Sequence, residues 1–253
     1  MNFRNRLIAL NKKMSGDFLQ MYAALKQDAS LKEYATADTA IISESVVTII
    51  DANYPACLKE LMMPPFVLYY EGDLTILDKK RLGVWGSRKP SPYAQIICST
   101  LLNEGDLDYV VVTNLDVGIN ALAIETYQSK GYLIGILASG LERKYPIETK
   151  DIFRQENTKY CLITEYASNV TVSLKQLQAR QRLMVGLSEM VVCIEPPKGS
   201  DLVKMSIQAL NQGILVYVVP DQLTQNQEVA TFELIEQGAS CLTQLNLFHI
   251  KKL

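Results

Sequence analysis

Short groups of basic and hydroxyl side chains follow three apolar stretches of the sequence, in a setting that suits phosphate binding. The first group is Gly86, Ser87, Arg88 and Lys89, which precedes a helix predicted over 92–103. The glycine lets the backbone turn closely, and a helix amino terminus offers free N–H groups to an anion. The two cations add donors suited to phosphate. An ordinary surface turn is the alternative, because G-S-R is too short to be specific.

The second group lies on a single helix predicted over 174–187. It consists of Lys175, Arg180 and Arg182. Residues two apart do not share a narrow stripe of a helix, so the two arginines would straddle the edge of a groove. A solvated helix face is the alternative for such a cluster.

The third group closes a loop over 195–200 that leads into another predicted helix. Lys198, Gly199 and Ser200 offer a cation and backbone N–H groups to phosphate, whereas a serine cap on an ordinary helix is the alternative. All three groups stand at the predicted carboxyl ends of strands, where one groove forms in a parallel sheet. Each group alone is too short to be specific, and their common position strengthens the prediction of phosphate binding.

Composition limits the other kinds of chemistry. The sequence has one histidine, His249, and five scattered cysteines without C-x-x-C spacing. We therefore expect no metal site, no cofactor and no Ser-His-Asp or Cys-His catalysis, and we interpret the cysteines as core residues in a reducing compartment. The formal net charge is -2, so nucleic-acid binding requires a local basic patch. No apolar run spans a bilayer and no signal peptide is visible, which predicts a cytoplasmic protein.

The elements that must position these groups alternate between strand and helix. Short apolar strands rich in Val and Ile are typical of a sheet covered on both faces. The alternation predicts an α/β fold, an extended Rossmann-like, doubly wound and mostly parallel sheet of about six strands or more. Strands are predicted at 66–70, 81–85, 109–113, 132–137, 160–164, 190–194 and 214–219, and helices at 92–103, 119–129, 149–156, 174–187, 201–211 and 228–237.

A small helical segment precedes the alternating part. Apolar residues recur at helical spacing over 2–50, with a break predicted at Gly16. We therefore divide the chain into a helical N-terminal segment, 1–50, and a Rossmann-like domain, 51–253.

An ordered series of short motifs over residues 53–243 resembles the DprA/Smf (DNA-processing protein A) family. No single motif is specific, but their order is. The matching residues are Tyr54-Pro55, Pro65 to Tyr69 with Gly72, Gly86-Ser87-Arg88, Gly118-Ile119, Gly140-Leu141 with Tyr145-Pro146, Thr164-Glu165-Tyr166, Arg180-Gln181-Arg182 with Gly186-Leu187-Ser188, Glu195 with Gly199-Ser200, and Leu234-Ile235 with Gly238-Ala239.

The chain also departs from the family pattern at several positions beside the expected groove. Asn114 stands where the family has glycine, and we expect it to keep the turn because asparagine tolerates left-handed backbone. Leu177 replaces a common phenylalanine and so removes a platform for base stacking. The other departures are Val117, Asn120, Gln181 and Asp221. We also expect no winged-helix domain after Ala239.

The resemblance implies a protein that binds incoming single-stranded DNA, forms a homodimer and helps load the RecA recombinase in natural transformation. It adds Gly118 to the expected DNA-binding residues, and it implies no enzymatic activity. Two alternatives stay open. One is a Rossmann-like nucleotide-processing enzyme, such as the phosphoribohydrolases of the lysine-decarboxylase-like group, although their "PGG.GT" loop is missing. The other is a diverged paralogue that serves only as a protein partner.

Overall fold

The N-terminal part of the chain contains two short helices. The computed structural model describes residues 2–27, 45–103, 109–153, 159–220 and 229–243. Helices α1 (Phe3–Lys13) and α2 (Phe18–Lys26) are separated by a turn at Gly16, as predicted. Asn2 and Asp17 cap them by accepting hydrogen bonds from backbone N–H groups of the first turn. Both helices pack their apolar face on the sheet.

Nine strands form one mixed sheet. Its order is β1-β2-β6-β5-β4-β3-β7-β8-β9, with β1 and β2 antiparallel to their neighbours and all other pairs parallel. The strands are β1 (Val46–Thr48), β2 (Val67–Gly72), β3 (Arg81–Gly86), β4 (Val110–Asn114), β5 (Tyr132–Ile136), β6 (Lys159–Thr164), β7 (Met190–Ile194), β8 (Leu215–Val218) and β9 (Ser240–Cys241). The predicted fold class, a mostly parallel doubly wound sheet, is confirmed.

Helices cover both faces of this sheet, as its apolar strands require. One face carries α4 (Pro92–Asn103) and α5 (Ile119–Tyr127). The other carries α3 (Ala56–Lys59), α6 (Leu174–Leu187), α7 (Asp201–Asn211) and α8 (Thr231–Glu236). The chain runs from β3 outward to β6 and then crosses to β7 on the other side of β3, so the topological switch point lies between β3 and β7.

Two predicted elements differ from the structure. Val46–Thr48 falls in the stretch predicted as helical, yet it is an edge strand, because it pairs with β2 and buries Val47 against the core. The helix predicted over 149–156 is a single 3₁₀ turn at Ile147–Thr149 in its described part. There the Thr149 hydroxyl donates to the Leu115 carbonyl and ties the turn to the end of β4. The remaining boundaries agree within a few residues, and the division of the chain at residue 50 stays a prediction.

None of the helices in the five described ranges is long and apolar enough to cross a bilayer.

The buried thiols Cys98, Cys161 and Cys193 confirm the interpretation of these cysteines as core residues, and burial raises the pKa of each to about 12. The remaining two, Cys57 and Cys241, are half-buried. His249 lies outside the described residues.

Candidate phosphate-binding groove

A groove opens at the switch point, at the carboxyl ends of β3 and β4, where doubly wound proteins bind ligands. Its volume is about 600 Å³, and α6 and α7 form its outer wall. Six of the residues predicted to bind phosphate line it: Gly86, Ser87, Arg88, Lys89, Arg180 and Ser200. The structure therefore brings members of all three groups together. We call this site the switch-point groove.

The loop after β3 is fixed through its backbone and leaves its cations free. The Ser87 N–H donates to the Ile194 carbonyl at 3.0 Å, and a Cβ on Gly86 would clash with that same carbonyl oxygen. Arg88 and Lys89 are exposed, and neither side chain has a partner in the described part of the chain. Such a loop presents two cations on a rigid turn, which suits phosphate contact.

Arg180 gives the groove its most specific feature. Its side chain is only 5% exposed, and its Nη2 donates to Asp116 Oδ2 at 2.8 Å. Its Nε and Nη1 are buried without a partner among the described residues. Unpaired buried donors are costly, and more so on a charged group. A phosphate oxygen beside them would satisfy both.

The amino terminus of α7 provides neutral donors on the opposite wall. Ser200 occupies the cap position, but its hydroxyl makes no capping bond and is buried without a partner in the ranges described. The free N–H groups of this 11-residue helix add a partial positive charge. Lys198 and Gly199 are exposed just before the helix and do not line the groove.

Asn114 and Asn120, two of the positions at which the chain departs from the family pattern, form a hydrogen-bonded network in the wall of the groove. Asn114 Oδ1 accepts from the Asp116 N–H at 2.7 Å and from Asn120 Nδ2 at 3.0 Å. Asn120 Oδ1 in turn accepts from the Gly86 N–H at 3.2 Å. The turn is kept, but for another reason than the one expected: Asn114 does not adopt left-handed backbone, and hydrogen bonding by its side chain fixes the turn.

Gly118 supports the groove from behind rather than lining it. Its φ is +85°, and a Cβ there would clash with the backbone of Ser87 and Arg88. The glycine is needed because two loops approach closely at this point. Ile119 N–H then donates to the Ser87 carbonyl at 3.0 Å and fixes the first loop.

Arg182 and Lys175 face away from the switch-point groove. Arg182 forms a bidentate pair with the buried carboxylate of Glu165 and donates to the Met63 carbonyl at 2.9 Å. Lys175 pairs with Asp17 of the N-terminal part. The two arginines differ by about 200° around the helix axis, at about 100° per residue. The structure thus separates Arg182 and Lys175 from Arg180.

Two carboxylates that were not among the predicted binding residues shape this region, and of these only Glu165 belonged to one of the family motifs. Asp116 neutralises part of the charge of Arg180, and Glu165 does the same for Arg182. Burial raises the pKa of Glu165, and the charge and hydrogen bonds of Arg182 oppose that rise. Asp116 could have been noticed in the sequence, because it is an acidic residue in the loop that carries Gly118. No group of residues suited to hold a metal ion occurs in the part of the chain that the structure describes.

The fold and the groove define a class: a Rossmann-like α/β protein with a groove lined by cations and hydrogen-bond donors at its switch point. Residues 45–250 match the family described as DNA recombination-mediator protein A, and the chain belongs to that family. It is 29% identical over 201 residues to DNA processing protein DprA of Bacillus subtilis (strain 168), covering 78% of this chain and 68% of that protein. It is 28% identical over 200 residues to Protein Smf of Escherichia coli (strain K12), covering 76% of this chain and 52% of that protein.

Solved structures agree with this assignment at the level of fold. DNA processing protein A of Streptococcus pneumoniae superposes with a TM-score of 0.80 at 21% identity, covering 97% of this chain and 92% of that one. DNA processing protein A of Helicobacter pylori, whose structure concerns its single-stranded DNA binding mode, gives a TM-score of 0.71 at 24% identity, covering 82% and 94%. The motif resemblance to DprA/Smf is thereby confirmed.

Proposed function

We propose that this protein binds single-stranded DNA in the switch-point groove and acts on incoming DNA during natural transformation. The observation that carries the proposal is Arg180 on the wall of the groove, whose buried Nε and Nη1 have no partner among the described residues. A DNA phosphate supplies the missing acceptor. The names of the relatives, DNA processing protein DprA, support the choice of DNA as the polyanion.

Each part of the groove has a separate role in this proposal. Arg180 and the Ser200 hydroxyl hold one phosphate deeply, while Arg88 and Lys89 contact its neighbours at the surface. The backbone N–H groups of α7 add donors without adding charge. None of these groups reads a base edge, so we expect little sequence preference.

Asp116 and Asp201 limit the affinity of the groove. Three cations and these two carboxylates are the charged residues that line it in the described structure. Asp116 already neutralises much of the charge on Arg180. The driving force for binding is therefore a few local phosphate contacts, and we expect affinity to fall only gradually as salt is added.

Substitution of both members of the Arg180–Asp116 ion pair tests the proposed function. The double variant Arg180→Met, Asp116→Asn leaves no unpaired carboxylate behind, so loss of binding reports the missing phosphate contact. We expect a gel shift with oligo-dT for the native protein and a loss of about ten-fold or more in affinity for the variant, because charged hydrogen bonds contribute about 1.5–3 kcal/mol. Arg143→Met, at an exposed arginine outside the groove, is the matched control.

Two outcomes would contradict the function. One is a native protein that binds no oligo-dT at low salt. The other is a folded double variant that binds as tightly as the native protein. Circular dichroism and thermal unfolding establish that the variants are folded.

We further propose that the protein acts in the cytoplasm as a homodimer and helps to load RecA onto DNA. Family membership supports these points. The apolar residues Leu245, Leu247 and Phe248, which favoured a dimer in the sequence, lie outside the described residues. Light scattering at micromolar concentration should give a dimer mass, and a monomer mass would count against it. A gel shift with oligo-dT and RecA together tests the second partner.

We also propose that the groove has no hydrolase or transferase activity. Asp116, a carboxylate that lines the groove, accepts a hydrogen bond from Arg180, and no histidine or cysteine lines the groove among the described residues. Release of free base from a nucleoside monophosphate separates this proposal from a phosphoribohydrolase. Steady turnover that a change in the groove abolishes would overturn it.

A further inference from the structure

A second cavity lies on the other side of α6, between that helix and the N-terminal helices. Its volume is about 390 Å³. Met14, Phe18, Met63 and Ala179 form apolar walls, and the Glu165–Arg182 pair lies at its floor. We call it the N-terminal cavity. The proposed function uses none of its residues.

The polar groups of this cavity indicate the kind of ligand that it takes. The floor charges of Glu165 and Arg182 compensate each other through two hydrogen bonds, so they call for no further charge. Gln176 is 9% exposed, and its Oε1 is buried without a partner in the described ranges. A buried amide oxygen requires an N–H or O–H donor. Asp17 and Lys175, which also line the cavity, form a second ion pair at its exposed side. The group that fits the floor of the cavity is thus neutral, with an apolar surface and at least one donor.

Helix α6 separates the cavity from the switch-point groove by its own width. Leu177, Arg180 and Gln181 line the groove, whereas Gln176, Ala179 and Arg182 line the cavity. The ridge between them is open to solvent, because Leu174 is 80% exposed. A helix is about 10–12 Å across with its side chains. A strand of a duplex advances about 3.4 Å per nucleotide and an extended single strand advances further, so a single strand crosses that ridge in about three nucleotides or fewer.

We propose that the N-terminal cavity takes a nucleobase from the same DNA strand whose phosphates occupy the switch-point groove; this rests on the proposed function. A base presents a flat apolar face to Met14 and Met63, and its edge carries an N–H donor for Gln176 Oε1. Phe18 contributes its edge, because its ring faces stack on Phe66 and Tyr22. Because every base has such a face, the cavity accepts bases with little preference among them. Lys175 lines the same cavity and is mostly exposed; its ammonium donates one N–H to Asp17 and has others left for the backbone of the strand.

The proposal predicts a dependence on strand length that the groove alone does not give. We would measure fluorescence anisotropy of the full chain with a series of oligo-dT lengths. Gln176→Leu removes the acceptor and keeps the volume, while Ala179→Phe fills the cavity. Both should lower affinity for long strands by about five-fold or more, the effect of losing one stacked base, and leave short strands unchanged. Gln237→Leu, an exposed glutamine that lines neither site, is the control.

An abasic strand of the same length separates a base from a backbone occupant. Its affinity should be the same for the native protein and for Ala179→Phe. An equal loss on abasic and base-bearing strands would show that the backbone enters the cavity, and would overturn the proposal. Unchanged affinity for long strands in both variants would overturn it too, while binding that still depends on Arg180 would leave the proposed function standing.

Photochemical cross-linking tests the native chain without any substitution. Long strands containing 5-iododeoxyuridine should form adducts at Phe18 or Tyr166, which line the cavity. Adducts confined to groove residues would contradict the proposal. A native protein that binds no oligonucleotide would remove both this proposal and the proposed function.

Discussion

At the scale of single residues, the neighbours of each cation determine its role. Arg88 is exposed and has no partner in the described structure, Arg180 is buried with one partner, and Arg182 has its hydrogen bonds filled by protein acceptors. The first two have most of their donors left for a phosphate, whereas Arg182 uses four of its five N–H groups within the protein. A guanidinium whose donors are paired within the protein holds structural elements together, whereas one with free donors is available to bind a ligand.

Arg88→Ala should weaken binding to every DNA sequence alike. Each lost phosphate contact reduces the slope of log affinity against log salt by about 0.7 for single strands. We therefore expect both a lower affinity and a shallower salt slope, measured by anisotropy with oligo-dT. A salt slope equal to that of the native protein would show that Arg88 does not contact phosphate.

Leu177→Phe should tighten binding. Leu177 lines the groove where a stacking aromatic residue is missing, and stacking contributes roughly 1–3 kcal/mol per base. The gain should appear with oligo-dT and vanish with an abasic strand of equal length. Equal gains on both strands would mean that the phenylalanine acts on the backbone or on the fold.

At the scale of elements, α6 connects the wall of the switch-point groove with the sheet and the N-terminal helices. On one side Arg180 reaches Asp116 in the loop after β4, and on the other Arg182 reaches Glu165 at the end of β6. Asn11 of α1 donates to the Glu165 carbonyl at 3.0 Å. The N-terminal helices, the sheet and the wall of the groove are thereby connected through one helix.

Arg182→Met should destabilise the protein by about 3–5 kcal/mol, because it leaves the buried Glu165 carboxylate unpaired. Burial raises the pKa of Glu165, and loss of the opposing arginine raises it further. The folded variant then favours the protonated form, so its stability is greatest below the unfolded pKa of about 4.3 and falls as pH rises through the folded value.

Urea unfolding of native protein and variant at about pH 4 and at neutral pH measures this effect. The difference in unfolding free energy between the two proteins should be larger at neutral pH. Adding Glu165→Gln to the variant removes the ionisable group and should remove the pH dependence of that difference. The prediction is wrong if the difference is the same at both pH values.

At the scale of the whole molecule, charge is balanced and binding has to be local. The net charge of -2 provides no long-range attraction for DNA. The groove concentrates Arg88, Lys89 and Arg180 at the switch point, where the sheet topology and the end of α7 add neutral donors. The fold thus compensates for a near-neutral net charge by bringing a few cations and N–H donors together in the groove.

The native protein should therefore show a shallow salt dependence. Three phosphate contacts at about -0.7 each predict a slope of about -2 for log affinity against log salt with single strands. Titrations of oligo-dT at several salt concentrations measure it. A much steeper slope would mean that basic residues outside the groove contribute most of the binding.

Local pattern determined much of this protein. Runs of Val and Ile bounded by turn residues specify buried strands, and helical periodicity gave α6 and α7 their bounds, Leu174–Leu187 and Asp201–Asn211. The phosphate loop at Gly86 was also visible, because a glycine and two cations between a strand and a helix are contiguous in the sequence. These features depend on neighbours in the chain.

Tertiary structure alone decided which cations face the groove. The period of a helix shows that Arg180 and Arg182 point apart, but only packing assigns one to Asp116 and the other to Glu165. Val46–Thr48 became a strand through pairing with β2, and Asn114 holds its turn through Asn120 and Asp116. Each of these outcomes depends on partners brought together by the sheet or by a loop conformation, which local propensity does not encode.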